Sequence, residues 1–328
     1  MERGASTATV TVAVLTYRRA DDLAAALPLV LAQAGELDPP AGVLVVDNDP
    51  DSGARELVTS LAGRQSTAAV RYVHEPTPGI AAARNRALDE VSSDLLVFID
   101  DDERPVPGWL RSLVDTYLAT RPAGVVGPVV SQFADEPDPW IVAGRFFERR
   151  RLPTGVSVQV AATNNLLLDQ AQLRERGLRF DERFGLIGGS DGLLTRQLTC
   201  RGGRLVWCAE ALVIDMVPRE RLTRRWVLRR AFRMGNSASL VEVQLADSTH
   251  GRLRARTRQI GQGLARLAGG LVRMSLGALT GSMRRRACGA RNCARGAGLV
   301  SGALGHAFAE YRRRPVTTTS GGGRRKLW

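Results

Sequence analysis

Four adjacent acidic residues form the pattern with the clearest chemical meaning in this sequence: Asp100, Asp101, Asp102 and Glu103. They follow an apolar run at residues 95–99 that has the composition of a buried strand. Carboxylates this close together repel one another unless a cation compensates them. Mg²⁺ and Mn²⁺ bind hard oxygen ligands, and often combine one or two carboxylates with the phosphate oxygens of a substrate. The run therefore predicts a divalent-cation site rather than a solvated acidic turn.

A glycine pair precedes another carboxylate that could take part in catalysis. Gly188 and Gly189 stand before Ser190 and Asp191, at the start of a predicted helix over residues 190–200. An Asp in this place is either a simple helix cap or a general base poised over a substrate hydroxyl. The sequence alone leaves both interpretations open.

A turn that leads into a helix forms a third candidate segment, at residues 74–85. Gly79 allows close approach of the backbone at this turn, and the start of the helix could face an anionic or polar ligand. Arg84 lies one turn into the helix. It is either a ligand contact or an ordinary surface arginine.

Apolar runs alternate with helical segments over the first 130 residues. Strands are predicted at residues 10–16, 42–46, 70–73, 95–99 and 125–130. This alternation favours a parallel, doubly wound sheet, and strands that are apolar throughout fit burial on both faces. Ligands of such sheets bind beyond the carboxyl ends of the strands. We expect one crevice there to gather these residues with the acidic run: Thr16, Arg18, Asp47 and Asn48.

Charge divides the 328-residue chain into two parts. The formal net charge is −7 over residues 1–215 and +20 over residues 216–328, which gives +13 in total. A basic segment needs an anionic partner: nucleic acid, lipid headgroups or a phosphate-bearing substrate. Basic amphipathic helices predicted at 222–233, 251–283 and 294–314 are typical of a membrane interface; packing on the rest of the chain is the alternative. We expect no signal peptide and no transmembrane helix.

In their order and spacing these motifs resemble family 2 glycosyltransferases of the GT-A fold. Within that family the chain is most similar to the bacterial exopolysaccharide branch of succinoglycan-biosynthesis glucosyltransferases. The resemblance covers about residues 9–235 and rests on residues 14–19, 46–50, 75–85, 98–110, 163–167, 180–185, 188–191 and 217–230. Ser190 stands where most relatives have Glu, and Asn48 where many have a second Asp.

The resemblance implies an inverting, metal-dependent transfer of a sugar from a nucleotide diphosphate, UDP above all, to an acceptor hydroxyl. The implied cofactor is Mg²⁺ or Mn²⁺, bound by Asp102, and Asp191 is the implied catalytic base. The implied nucleotide-sugar contacts are Thr16, Arg18, Asp47, Asn48, Arg84, Asp100 and Asp101. Among these, Asp47 or Asn48 would meet the base and Asp101 the ribose.

We predict three segments along the chain. A GT-A catalytic domain spans residues 1–217, with a nucleotide-sugar half at about 9–130 and an acceptor half at about 131–217. A basic helical extension follows at 218–315, and a disordered tail at 316–328. The expected location is the cytoplasm, at the inner face of the cytoplasmic membrane, with a saccharide, lipid-linked or natural-product acceptor.

Two other functions compete with the transferase. A sugar nucleotidyltransferase would need a glycine-rich phosphate loop after the first strand, where Thr16-Tyr17-Arg18 has no glycine. A nucleic-acid-binding protein is suggested by the isoelectric point of 10.9. The acidic first part and the lack of any RNA-binding or helix-turn-helix signature argue against it, so we expect no nucleic acid partner.

Overall fold

A computed structural model describes residues 8–62 and 68–308, so the predicted tail at 316–328 lies outside the described residues. The strands are β1 (Val10–Thr16), β2 (Gly42–Asp47), β3 (Val70–His74), β4 (Leu95–Asp100), β5 (Glu103–Pro105), β6 (Gly124–Val126), β7 (Val129–Phe133), β8 (Ser157–Val158), β9 (Asn165–Asp169), β10 (Leu205–Trp207) and β11 (Val213–Val217). The helices are α1 (Ala20–Gly35), α2 (Arg55–Ala62), α3 (Ile80–Glu90), α4 (Trp109–Thr120), α5 (Pro139–Ala143), α6 (Gln170–Glu175), α7 (Ser190–Cys200), α8 (Arg224–Gln244), α9 (Thr249–Leu279) and α10 (Met283–Ala303).

One large sheet forms the centre of the molecule, in the order β3-β2-β1-β4-β9-β6-β10-β8. Only β9 and β8 run antiparallel to their neighbours, and every other pair in this sheet is parallel. A second sheet joins β5, β11 and β7. The predicted α/β architecture with a mostly parallel sheet and a helical C-terminal part is confirmed.

The two faces of the large sheet carry separate apolar layers. Along β1, Val12 and Val14 face α1, α2 and α4, whereas Ala13 and Leu15 face α3 and α7. Strands covered on both faces need apolar residues at every position, which explains their lack of polar alternation.

The register of the central strands sets the edge at which polar residues gather. Thr16 pairs with Asp47, and Leu15 pairs with Asp100. The carboxyl ends of β1, β2 and β4 therefore lie side by side. From the end of β4 the chain passes directly into β5, where Glu103 pairs with Asp215 of β11.

The apolar pattern of residues 159–168 also predicts a strand, but the strand found there, β9, begins only at Asn165. Ahead of it, the N–H of Ala161 donates to Thr195 Oγ1 of α7 at 3.1 Å, and Asn164 donates to Glu103 at 2.6 Å. The segment before β9 thus bonds to side chains instead of to a neighbouring strand.

The last two helices also differ from the prediction. Gly281, with φ of 66°, ends the turn after α9, and the Ser282 hydroxyl accepts the N–H of Arg285 to begin α10 at Met283. The predicted helix at 294–314 therefore starts eleven residues earlier and ends at Ala303. The division of the chain at residue 217 stays a prediction.

The helices of the basic part pack on one another where glycines allow it. A Cβ on Gly296 would lie 2.6 Å from the carbonyl oxygen of Gly263, and a Cβ on Gly298 only 1.9 Å from that of Phe232. Helix α8 also contacts α7, and α10 contacts α5. The alternative of packing on the rest of the chain is therefore observed for α8 and α10.

Helix α9 keeps an apolar surface in solvent. Its exposed residues include Leu253, Leu264, Leu271 and Leu279. Among residues 8–62 and 68–308, no helix combines the length and the hydropathy that crossing a bilayer requires.

Candidate active site

The acidic run is compensated by two arginines from distant parts of the chain. Arg19 donates to Asp101 Oδ1 at 3.1 Å and to Asp102 Oδ2 at 2.9 Å. Arg221 donates to the same oxygen of Asp102 at 3.1 Å. The hydroxyl of Thr16 donates to Asp101 Oδ2 at 2.8 Å. Guanidinium groups therefore balance part of the charge that the sequence assigned to a metal ion.

Glu103 connects the run to the segment that precedes β9. One of its carboxylate oxygens accepts Asn164 Nδ2 at 2.6 Å, and the other accepts the backbone N–H of Asp100 at 3.2 Å. Burial and then repulsion from Asp100 raise the pKa of Glu103 well above its usual value. Because both its oxygens are engaged inside the chain, Glu103 holds the turn in shape.

Burial also disfavours the charged forms of Asp100 and Asp101, the first two carboxylates of the run. Burial, followed by repulsion from Asp102, raises the pKa of Asp100 to about 7, and the charge of Arg84 opposes this rise. Burial likewise raises the pKa of Asp101 to about 6 against the opposing charge of Arg19. The cluster therefore gains stability from any further positive charge.

A cavity of about 290 Å³ opens beside this cluster. Its lining is rich in charge and includes Asp100, Asp102, Glu103, Arg19, Arg149, Asn164, Asp215, Arg221, Arg230 and Arg233. Within the described ranges, no three Asp, Glu, His or Cys side chains form a complete metal site. A cation held here would draw its other ligands from a bound diphosphate and from water.

The predicted base contacts, Asp47 and Asn48, are buried in the loop after β2. Asp47 accepts hydrogen bonds from the N–H groups of Asp49 and Ala54 and from the hydroxyl of Tyr72. Asn48 donates to the carbonyls of Glu75 and Thr77 and accepts the N–H of Gly79. Neither residue lines the cavity beside the acidic cluster. Both shape the sheet edge that faces the predicted nucleotide.

Arg18 lies at the end of β1, with a left-handed backbone at φ of 53°. It forms ion pairs with Asp49 at 3.0 Å and with Asp51 at 2.9 Å, and 47% of its side chain is exposed. A side chain this exposed exchanges its partners at little cost, so Arg18 is accessible to a ligand at this edge.

The loop before α7 presents Asp191 to a second cavity. Gly188 and Gly189 take left-handed φ values of 78° and 98°, and Gly189 is the N-cap of the helix. Asp191 is the second helical residue, so the simple-cap interpretation is wrong. One of its oxygens accepts the N–H of Gly192 at 2.8 Å. Within the part of the chain that the structure describes, the other oxygen has no partner, as a general base requires.

The second cavity has a volume of about 850 Å³ and includes Asp191 and Arg84 in its lining. Arg84 is only 7% exposed and donates to Ser190 Oγ at 2.8 Å. Its guanidinium lies 5.5 Å from the ring centroid of Phe180. The surface-arginine interpretation of Arg84 is therefore wrong, and Ser190 is its hydrogen-bond partner.

The two cavities adjoin. Arg149, Asn164, Arg230 and Arg233 line both of them. Asp102 faces the smaller cavity and Asp191 the larger one, so the two carboxylates with predicted roles open onto adjoining spaces.

Sequence reasoning gave no role to several residues that build these walls. Arg19 had a signal, since it directly follows Arg18 after β1, and Asn164 lies in the 163–167 motif. Arg149 had none, because it comes from an irregular segment, and its ion pair with Asp215 appears only in the folded chain.

Comparison with known proteins gives a consistent result. Residues 11–175 match the family described as Glycosyl transferase family 2. The chain is 31% identical over 310 residues to the succinoglycan biosynthesis protein ExoM of Rhizobium meliloti, covering 94% of this chain and 97% of that protein. It is 28% identical to a pre-mycofactocin glycosyltransferase of Mycobacterium tuberculosis, covering 84% of this chain and 64% of that protein. The resemblance seen in the motifs is confirmed.

Solved structures agree on the fold. GalNAc-T7 with UDP, GalNAc and Mn²⁺ has a TM-score of 0.55 at 13% identity, covering 74% of this chain and 49% of that one. S. aureus TarS has a TM-score of 0.51 at 15% identity, covering 79% of this chain and 43% of that one. The chain thus spans under half of each, and the GT-A fold is confirmed.

Proposed function

Because the chain belongs to glycosyl transferase family 2 and is a glycosyltransferase, we propose that it is an inverting, metal-dependent enzyme. It moves a sugar from a nucleoside diphosphate, UDP being the expected nucleotide, onto an acceptor hydroxyl. Relatives named for succinoglycan biosynthesis and for pre-mycofactocin support a saccharide, lipid-linked or natural-product acceptor, with exopolysaccharide biosynthesis as the expected process. The family match leaves no support for the nucleotidyltransferase and nucleic-acid alternatives.

The pair of adjoining cavities carries this proposal. A donor diphosphate in the smaller cavity would lie against Asp102, and an acceptor in the larger one against Asp191. The shared residues Arg149, Asn164 and Arg230 would then border the reacting bond. Holding two reactants in register in this way supplies much of the rate of a transfer reaction.

The acidic cluster fits Mg²⁺ or Mn²⁺. Asp102 would hold the cation, because it is a hard oxygen ligand whose partners Arg19 and Arg221 can pass to phosphate oxygens. When bound, the cation neutralises charge on the leaving diphosphate. The Mn²⁺ and UDP in the GalNAc-T7 structure support this choice.

The nucleoside would lie along the sheet edge made by the ends of β1 and β2. Thr16 ends β1 and Arg18 lies two residues beyond it. Asp47 and Asn48 shape the loop after β2, and Asp100 and Asp101 close the edge beside β4. Arg84 adds positive charge close enough to act on Asp100.

Asp191 would act as the general base. The acceptor oxygen forms a bond to the anomeric carbon while the bond from that carbon to the diphosphate oxygen breaks. The proton of the acceptor hydroxyl passes to Asp191, and the nucleoside diphosphate leaves with the bonding electron pair. Attack from the face opposite the leaving group inverts the anomeric configuration.

A nucleotide-sugar screen with Mn²⁺ and Mg²⁺ tests the proposal, followed by Asp191→Asn. We expect the variant to lose transfer by roughly 100- to 10,000-fold and to bind the donor as tightly as the wild type in calorimetry. Asp247→Asn, at an exposed position between α8 and α9, is the matched control. Near-full turnover of Asp191→Asn would refute the base, and no donor binding with either cation would refute the function.

We also propose peripheral attachment to the inner face of the cytoplasmic membrane. The support is the exposed apolar surface of α9 within a strongly basic segment, which suits anionic headgroups. We expect Leu264→Gln with Leu271→Gln to weaken sedimentation with anionic vesicles. Leu118→Gln changes an exposed leucine of α4 and should leave sedimentation with the vesicles unchanged. Equal vesicle binding by the wild type, the double variant and Leu118→Gln would contradict the attachment.

A further inference from the structure

The larger cavity carries more positive charge than the proposed chemistry uses. Nine arginines and two carboxylates, Asp191 and Glu242, line it. Glu242 already lies 3.8 Å from Arg196, and Asp191 is assigned to the acceptor hydroxyl. The wall therefore has a large excess of guanidinium groups. An excess of one sign inside a concave site attracts a ligand of the opposite sign.

Five of these arginines belong to the basic extension. We call the three on its last two helices the arginine triad: Arg258, Arg266 and Arg295. The first two lie on α9 and the third on α10. Among residues 8–62 and 68–308, no carboxylate forms an ion pair with any of the three. Burial, followed by the charges of Arg266 and Arg291, lowers the pKa of Arg295. The charges of Arg266 and Arg295 therefore repel each other until an anion enters.

Close helix packing holds two members of the triad, Arg266 and Arg295, near each other. Helices α9 and α10 meet where Gly263 faces Gly296, and a Cβ on Gly296 would lie 3.1 Å from Cβ of Arg266. Arg295 directly precedes Gly296 in the chain, so Arg266 and Arg295 extend from the same tight crossing. Gly235 of α8 packs on the backbone of Arg295. A Cβ added to Gly235 would lie 2.1 Å from the carbonyl oxygen of Arg295. Rigid elements on both sides fix the position of these charges.

The chemistry of three guanidinium groups favours a phosphate. A single carboxylate brings one negative charge, which leaves most of the repulsion in place. A phosphate or diphosphate brings two or more charges on several oxygens, and guanidinium groups bind such oxygens in pairs. The cavity of about 850 Å³ also has room for a saccharide beside the anion.

We propose that the acceptor bears a phosphate or diphosphate group, which binds to the arginine triad while the acceptor hydroxyl reaches Asp191 in the same cavity. The inference rests on the proposed function, because only a transferase needs an acceptor there. It makes the basic extension a substrate-binding element of the enzyme.

Calorimetry on the full chain tests the triad with inorganic pyrophosphate as the probe. EDTA and about 0.15 M salt suppress cation-dependent binding at the acidic cluster and screen long-range attraction. We expect Arg258→Gln/Arg266→Gln/Arg295→Gln to weaken pyrophosphate binding roughly 100-fold, because charge-assisted bonds to phosphate are lost. Arg258→Gln alone, at an exposed position where a change does not disturb packing, should weaken it several-fold.

The matched control is Arg254→Gln/Arg256→Gln/Arg273→Gln. These arginines lie on α9 and do not line the cavity. Their replacement removes as much positive charge as the triad variant does. We expect the control to bind pyrophosphate within twofold of the wild type. Equal losses in both triple variants, or no binding by the wild type, would overturn the triad as a phosphate site.

Two further probes identify the source of the phosphate. Geranylgeranyl diphosphate in detergent micelles represents a lipid-linked acceptor, and glucose 1-phosphate represents a soluble one. Triad-dependent binding of either probe supports the proposal and names the source, whereas triad-independent binding of both overturns it. Wild-type hydrolysis of the nucleotide sugar with Mn²⁺, run in parallel, reports on the proposed function itself, so the two can fail separately.

Discussion

The two cavities of this molecule treat charge in opposite ways. Beside β4, four acids share a small space with five arginines, among them Arg19, Arg221 and Arg149, so positive and negative groups are present in similar numbers. In the larger cavity the arginines outnumber the acids, and those from α9 and α10 have no acidic partner among the described residues. The first site is balanced within the chain, whereas the second depends on an anion from outside.

This difference bears on what each site can exchange. A balanced site keeps its shape without ligand, and its arginines can pass from carboxylates to phosphate oxygens when a cation arrives. An unbalanced site gains most when a multiply charged ligand enters. Donor and acceptor would therefore be recognised by different electrostatic principles on the two sides of Arg149 and Arg230.

The largest effect is expected at the balanced site. Asp102→Asn should lower transfer roughly 1,000-fold with Mn²⁺, because it removes the charge of the proposed cation ligand at nearly constant size. The same variant should bind pyrophosphate in EDTA like the wild type, because the triad is untouched. Initial rates over a range of Mn²⁺ concentrations, with calorimetry, provide the measurement.

Asp135→Asn is the control for this variant, since it removes a partly exposed carboxylate whose ion-pair partner among the described residues is Arg219. It should keep full activity. If Asp102→Asn turned over at the wild-type rate, the assignment of Asp102 to the cation would be wrong.

A second prediction perturbs the packing of the two helices α8 and α10, both of which contribute to the wall of the larger cavity. Gly298→Ala would put a Cβ 1.9 Å from the carbonyl oxygen of Phe232, forcing α10 away from α8. We expect a loss of about 1–3 kcal/mol in the free energy of unfolding, as overpacking usually costs. Weaker pyrophosphate binding should accompany it. Urea titration and calorimetry measure the two effects.

Gly261→Ala is the matched control for Gly298→Ala, because a Cβ there meets nothing within 4 Å. Because alanine restricts the unfolded chain more than glycine does, this change in a helix interior should raise the free energy of unfolding by about 0.4–1 kcal/mol. Equal stability of the two variants would show that α10 does not depend on close approach to α8.

The smallest effect is expected at Ser190, where the chain departs from its relatives. Ser190→Ala removes the hydrogen bond that holds Arg84 at 2.8 Å. We expect the KM for the donor to rise about tenfold, near 1.4 kcal/mol, with little change in kcat. Ser112→Ala, whose hydroxyl donates to the carbonyl oxygen of Gly108 at the N-cap of its own helix, should leave KM unchanged. A rise in acceptor KM alone would assign Arg84 to the acceptor side.

Much of the fold follows from local patterns. Apolar runs bounded by turns predicted β1 to β4 nearly to the residue, because strands buried on both faces have a composition of their own. Local patterns failed at residues 159–164, where Ala161 and Asn164 bond to side chains of other elements. They also misplaced the start of α10, because Arg-, Ala- and Gly-rich residues continue across Gly281.

For the site, residue types identified individual candidates but not their partners. Asp102 and Asp191 stood out from their neighbours in the sequence, and so did the basic extension. The ion pair between Asp102 and Arg221 joins residues 119 positions apart, and the contact of Arg84 with Ser190 spans 106. No local signal encodes such pairs, since they depend on how sheet and helices pack.

By itself, the sequence determined the order of β1 to β4 and of the helices between them, the acidic turn after β4, the glycine-led start of α7 and the basic character of the last hundred residues. Each of these depends on neighbours along the chain, through backbone conformation and hydrophobic periodicity. The tertiary structure alone decided that Arg19 and Arg221 balance Asp102, and that α9 and α10 bring unpaired arginines to the cavity of Asp191. Both outcomes depend on distances through space, which close packing at Gly296 and Gly298 sets.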